Sequence, residues 1–145
     1  MTTYKFTEAP SAAGELIGDS SLVIRATENN IAAIEKGDVV AFVGGKIIKA
    51  DTGDLSGAYG VALDAIPQGG TGRVCIEGIV SVASTAAAIT VGAYVAASAT
   101  DGKVQAAAAG DIVCGYALTD VSSAGGLIVM KIINGNAVVI AAGGA

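Results

Sequence analysis

Short apolar runs alternate with turn formers along this chain. Leu22 to Ala26 and Val39 to Val43 each read as a strand, Gly44-Gly45 as a tight hairpin turn, and Lys46 to Lys49 as the returning strand. The arrangement comes back as Tyr94 to Ala97, a turn around Asp101-Gly102, and Lys103 to Gln105. Gly-Gly and Asp-Gly supply the positive φ that two-residue hairpins require, so these glycines have a backbone task. The alanine runs at Ala86 to Ala88 and Ala106 to Ala109 are flanked too closely by Thr, Val and Gly to extend a helix. The pattern predicts an all-β fold.

The second occurrence belongs to a longer duplication. GDVVA at Gly37 to Ala41 returns as GAYVA at Gly92 to Ala96, 55 positions on, and GKIIKADTGD at Gly45 to Asp54 returns as GKVQAAAAGD at Gly102 to Asp111, 57 positions on. YGVALDA at Tyr59 to Ala65 then matches CGYALTD at Cys114 to Asp120, and RVCI at Arg73 to Ile76 matches IVMK at Ile128 to Lys131. Gly60 and Gly115 hold matching places inside strands, which predicts a bulge or a close backbone approach. The loop at Pro67 to Gly72 matches the loop at Ser122 to Gly126. Short strands in duplicate predict a small β-sandwich or barrel built from two degenerate repeats. The expected organisation is an N-terminal arm over residues 1–21 and one β-rich domain over 22–145, with repeated halves at about 37–77 and 92–132.

Composition agrees and narrows the chemistry. The 145 residues fit one domain, and 31 Val plus Ile against 6 Leu favour pleated sheet over helix. With no His, the chain cannot build a Ser-His-Asp triad, a Cys-His pair or an imidazole acid/base. Cys75 and Cys114 stand 39 positions apart in apolar surroundings, which predicts buried unoxidised thiols rather than metal ligands or a disulfide. The net charge is -5 with scattered basic residues, so no cationic stripe for nucleic acid is present. Gly78 to Thr100 carries no charge over 23 residues, but its Ser, Thr and Gly content and the repeat within it argue against a membrane span. No secretory signal is legible at the N-terminus.

Candidate chemical groups are few. Asp54 and Asp111 recur after Gly and read as turn caps. Asp38, Asp64 and Glu77 do not recur, facing Ala93, Thr119 and Ile132 in the other half. The loop GGTGR at Gly69 to Arg73 lacks the Lys-Ser/Thr ending of a phosphate loop and runs into a strand, so it reads as a hairpin loop. Tyr94, Tyr116 and Phe42 lie within strands and read as core or interface fillers. No catalytic, cofactor-binding or metal-binding residue is assigned, and no cofactor is expected.

The ends differ from the body. The last 14 residues carry no charge and contain an Asn134-Gly135-Asn136 turn signal, which reads either as a final hairpin on the chain's own sheet or as a segment buried against another subunit. Met1 to Gly14 mixes Thr, Pro, Ala and Gly, a composition that orders on a partner.

From Leu22 to Ile133 the order of features resembles the capsid decoration, or capsid cement, proteins of tailed bacteriophages. The features are Gly37 to Val40, the Gly45-Lys46 hairpin, Gly60 to Leu63, a Gly-rich loop before Arg73 to Val82, and a degenerate second copy from Val91 to Val95. The resemblance implies a β-rich structural protein, made in the host bacterial cytoplasm, that binds the outer surface of an assembled head. It further implies a homotrimer at three-fold or quasi-three-fold positions that clamps neighbouring major capsid protein subunits, with no direct nucleic acid or membrane partner. The family has no catalytic residues to carry over. Two other readings stay open at this stage: a carbohydrate- or cell-surface-binding module using Tyr59 or Tyr94, and a carboxylate enzyme using a pair among Asp38, Asp64 and Glu77.

Overall fold

The computed structural model describes residues 12–14, 16, 21–50, 59–84, 88–98, 102–108, 111–122, 126–133 and 138–139. Among them the regular elements are all strands: β1 (Leu22–Thr27), β2 (Val39–Val43), β3 (Lys46–Lys49), β4 (Tyr59–Ala62), β5 (Thr71–Glu77), β6 (Ile79–Ala83), β7 (Tyr94–Ala97), β8 (Val104–Ala106), β9 (Ile112–Ala117), β10 (Leu127–Ile132) and β11 (Val138–Val139). They form two antiparallel sheets, ordered β1-β5-β4-β2-β3 and β6-β10-β9-β7-β8, with β11 added on β9. The orders are the same, strand for strand. The structural repeat therefore includes β1 and β6, ahead of the blocks whose sequences visibly match.

The correspondence extends to irregular backbone. Gly37 donates to Ala62 O at 2.7 Å and Gly92 to Ala117 O at 2.8 Å, while Ile34 bridges to Ile66 as Ile89 bridges to Val121. Each sheet also curls. Glu28, just past β1, forms a parallel bridge to Ile47 in β3, and Ser84, just past β6, does the same with Val104 in β8. The two edge strands of each sheet are thereby joined, which leaves fewer open backbone groups at the sheet edge.

The expected turn at Gly44-Gly45 is present, with φ of 58° and 81°. The loop before Arg73 connects the paired strands β4 and β5, as a hairpin loop should. The return strand of the second hairpin sits one residue later than the sequence suggests, at Val104–Ala106. Gly60 and Gly115 are places of close approach: a Cβ at Gly60 would lie 2.6 Å from Cys75 O, and one at Gly115 would lie 2.5 Å from Lys131 O. Beside Gly115 the register of β9 against β7 slips, so that Val95 pairs with Gly115 and Ala96 with Val113. Cys114 is the extra residue of that bulge and is buried in the core.

Strand alternation divides the apolar side chains into two clusters. The smaller, on one face of the first sheet, comprises Ala26, Ile34, Val40, Ile47, Ala62, Ile66 and Val74. The larger takes Val39, Ala41, Tyr59, Val61 and Cys75 from the opposite face of that sheet and joins them to Val80, Val95, Cys114, Ala117, Ile128 and Met130 of the second. One sheet thus has apolar residues on both faces, which is why the first half reads as continuous Val/Ile runs.

The charge-free stretch Gly78 to Thr100 contains β6 and β7 and a turn between strands. Among the described residues no helix is long and apolar enough to cross a membrane. At the C-terminus β11 pairs with β9 along Val138–Val113 and Val139–Ile112, and β10 pairs with β9 along Met130, Lys131 and Ile132. Because β7 occupies the other edge of β9, β10 and β11 lie on one edge in succession and do not form the expected hairpin with each other. The Asn134-Gly135-Asn136 signal lies outside the described residues, as do Asp54 and the run Ala86–Ala87. Of the expected arm, Ala12, Gly14 and Leu16 touch β6: Gly14 donates to Ser81 O at 2.7 Å, the Ser81 hydroxyl donates to Ala12 O at 2.6 Å, and Leu16 bridges to Val80.

Candidate interaction surface

Of the three non-recurring acids, Asp38 and Asp64 are committed to partners of their own. Asp64 accepts the Arg73 backbone N–H at 2.9 Å and the guanidinium Nη2 at 2.8 Å. Those hydrogen bonds from Arg73 hold its carboxyl down to about 2. Thr119, its counterpart in the second half, accepts the Val129 N–H at 2.9 Å. Acid and hydroxyl do the same job of fastening a hairpin, so Asp64 recurs in role though not in type.

Asp38 is fully buried where the two repeats meet. Its carboxylate accepts the Glu35 N–H at 2.8 Å and pairs with Lys103 Nζ at 3.1 Å and Lys49 Nζ at 3.4 Å. Lys103 comes from the second repeat, and the tip of its hairpin is bonded to the first through Val39 N–H to Gly102 O and Gly102 N–H to Ala50 O, both at 2.9 Å. The described residues hold one such junction, and Ala93, at the matching place of the second repeat, lies outside it. Burial disfavours the Lys103 charge, but the hydrogen bond and attraction of Asp38 outweigh it and raise its pKa. Glu77 is exposed at the end of β5, opposite Leu22.

Other polar groups are structural as well. Asp111 accepts the Ala108 N–H at 2.8 Å, the turn cap expected of it. Glu28, which nothing in the sequence singled out, is 1% exposed and accepts backbone N–H groups of Gly69 at 2.7 Å, Ile31 at 2.9 Å and Ala32 at 3.1 Å. Burial pushes its pKa up, but the backbone amides pull harder and hold it below the usual glutamate range. Cys75 and Cys114 are free and buried, as the apolar surroundings predicted. Burial raises both thiols, Cys114 to about 12, so neither is a nucleophile at neutral pH.

Tyr59 is not a surface residue. It is 2% exposed, and its hydroxyl reaches across to the carbonyls of Val113, at 2.7 Å, and Ile133, tying the first repeat to the second. Tyr94, expected to fill core or interface, is 48% exposed and so is not a core residue.

Tyr94 belongs to a row that crosses four adjacent strands. It pairs in register with Tyr116 of β9, Tyr116 with Lys131 of β10, and Lys131 with Ile79 of β6, so the four side chains share one face. The equivalent row of the first sheet is Val39, Val61, Cys75 and Val23. That row is wholly apolar and packs in the larger cluster. On the second sheet Tyr94 and Lys131 are exposed, with Tyr116 and Ile79 partly buried. The duplication carries part of the signal, turning Val39 and Val61 into Tyr94 and Tyr116, but it sets Cys75 against Met130; the strand pairing shifts that match by one residue and puts Lys131 in the place of Cys75.

Comparison with known proteins agrees with this all-β, repeat-built chain. The family described as "Phage cement protein" matches residues 17–132. No curated protein matches the sequence. Among solved structures, the N-terminal base of the head fiber gp8.5 of bacteriophage phi29 is similar, with a TM-score of 0.57 and 18% identity over 79% of this chain and 98% of that one. At that identity the likeness is one of fold.

Proposed function

The chain belongs to the phage cement protein family, a structural and non-enzymatic family, and from that premise we propose that it binds the outer surface of an assembled phage head and stabilises contacts between major capsid protein subunits. A capsid-associated structural role in the virion follows from membership itself. The finer reading adds the outer face of the shell, a homotrimer at three-fold or quasi-three-fold positions, and an N-terminal arm, held on β6 through Ala12, Gly14 and Leu16, that orders on the lattice. The observation that carries it is the family match over residues 17–132, which spans both repeats. The polar groups agree: among the described residues Asp38, Asp64, Glu28 and Asp111 hold turns and joints. A carbohydrate-binding role loses Tyr59 to the core and would have to rest on Tyr94 and Tyr116.

The mechanism is added binding energy. A protein that binds assembled shell and not free subunits stabilises the shell by mass action, and copies around a symmetry axis multiply a modest interface. Purified protein added to undecorated heads should saturate at a symmetric stoichiometry and raise the temperature at which heads disrupt. Absence of binding to any mature head would overturn the proposal.

A further inference from the structure

The same row of strand positions is used once inside this chain and once on its surface. In the first sheet Val39, Val61, Cys75 and Val23 form part of the core shared with the second repeat. In the second sheet the row becomes Tyr94, Tyr116, Lys131 and Ile79, of which Tyr94 and Lys131 are exposed. The residue types changed in a definite direction: tyrosine and a single lysine replace small apolar groups. Tyrosine offers a large rigid contact area with a polar tip and is over-represented where binding energy concentrates. Lys131 is the one charged residue in β9 and β10, on a protein whose net charge is -5. As the one charge in that row, Lys131 favours a carboxylate opposite it.

Resting on the head-binding reading, we propose that the Tyr94–Tyr116–Lys131–Ile79 row is the anchor that seats the protein on the shell, on a patch presenting carboxylates beside apolar side chains. Tyr94 and Ile79 at the ends cover apolar area while Lys131, between Tyr116 and Ile79, meets a carboxylate.

Binding of Tyr94→Ala, Lys131→Glu and Lys131→Arg proteins to undecorated heads tests this, with solution mass and thermal melts recorded on the same samples. Tyr94→Ala and Lys131→Glu should each weaken binding at least ten-fold, Lys131→Arg should bind within about three-fold of the parent, and added salt should weaken the parent more than Lys131→Glu. Tyr94 and Lys131 are exposed, so melts and mass should not change. Parental binding by Tyr94→Ala and Lys131→Glu would overturn the anchor while leaving head binding intact. A change of oligomer mass with either variant would place the row between copies and also overturn it. Failure of the parent protein to bind heads would defeat the head-binding reading, and the anchor with it.

Discussion

Glu28 is a buried carboxylate held by backbone alone, and replacing it with Gln separates the charge from the shape. In the folded chain its oxygens take N–H groups from Gly69 at 2.7 Å, Ile31 at 2.9 Å and Ala32 at 3.1 Å, fastening the segment after β1 to the loop before β5. A hydrogen bond to an ionised acceptor is worth about 1.5–3 kcal/mol. Gln keeps one accepting oxygen but turns an amide donor toward backbone donors, so at least one such bond is lost and one N–H is left unmet. The expected cost is about 3 kcal/mol, a fall in melting temperature of roughly 6–12 °C for a domain of this size. Glu35, whose side chain is 72% exposed, provides the control: Glu35→Gln should change stability by less than about 0.5 kcal/mol. The pH dependence has a definite sign. The folded pKa lies below the ordinary value, so the carboxylate's contribution is complete above about pH 4.3 and is lost as pH falls through the folded value. Gln lacks that contribution, and the gap between the two proteins should close in acid. Urea melts from pH 7 downward measure it. A cost below about 1 kcal/mol at pH 7, or a gap that stays constant through the acid range, would refute the reasoning.

Gly60→Ala and Gly115→Ala should each destabilise by more than about 2 kcal/mol in urea melts, because the new methyl would lie 2.6 and 2.5 Å from carbonyl oxygens of neighbouring strands. Gly92→Ala, where the added Cβ meets nothing but φ is 84°, should cost only about 1 kcal/mol. Tyr59→Phe should lose about 1–2 kcal/mol by leaving the Val113 and Ile133 carbonyls without their donor, whereas Tyr94→Phe should be neutral in the same melt. Cys75 and Cys114 should fail to react with an aromatic disulfide reagent at pH 8 until denaturant is added, at which point both should react.

Much of this organisation was legible because strands and hairpins depend on nearby residues. Gly44-Gly45 specified its turn, β1, β2, β3 and β7 fell within a residue of where the apolar runs placed them, and the duplication foretold two repeated halves, whose common strand order the structure added. Gly60 and Gly115 were recognisable as close approaches because they interrupt strands at the same place in each half. The final segment was less legible: an Asn-Gly-Asn signal suggested a hairpin, yet Val138–Val139 joined the free part of β9 where β10 stops. Glu28 carried no sequence signal, since its partners Ile31, Ala32 and Gly69 come from both sides of β2, β3 and β4.

By itself the sequence determined that this is an all-β chain of two Gly-punctuated repeats without histidine chemistry, because side-chain alternation and turn preference are local properties. Which tyrosine is buried and which is exposed was a tertiary decision. Tyr59 and Tyr94 both open strands, but burial depends on what packs against the face a side chain shares. For Tyr59 that is the second repeat, whereas Tyr94 lies on the face of its sheet turned away from the first repeat. The same reason fits Asp38, buried at the joint between the repeats, and the apolar row that became Tyr94, Tyr116 and Lys131: one copy of the row packs against the other repeat, and the other copy lies on the face turned away from it.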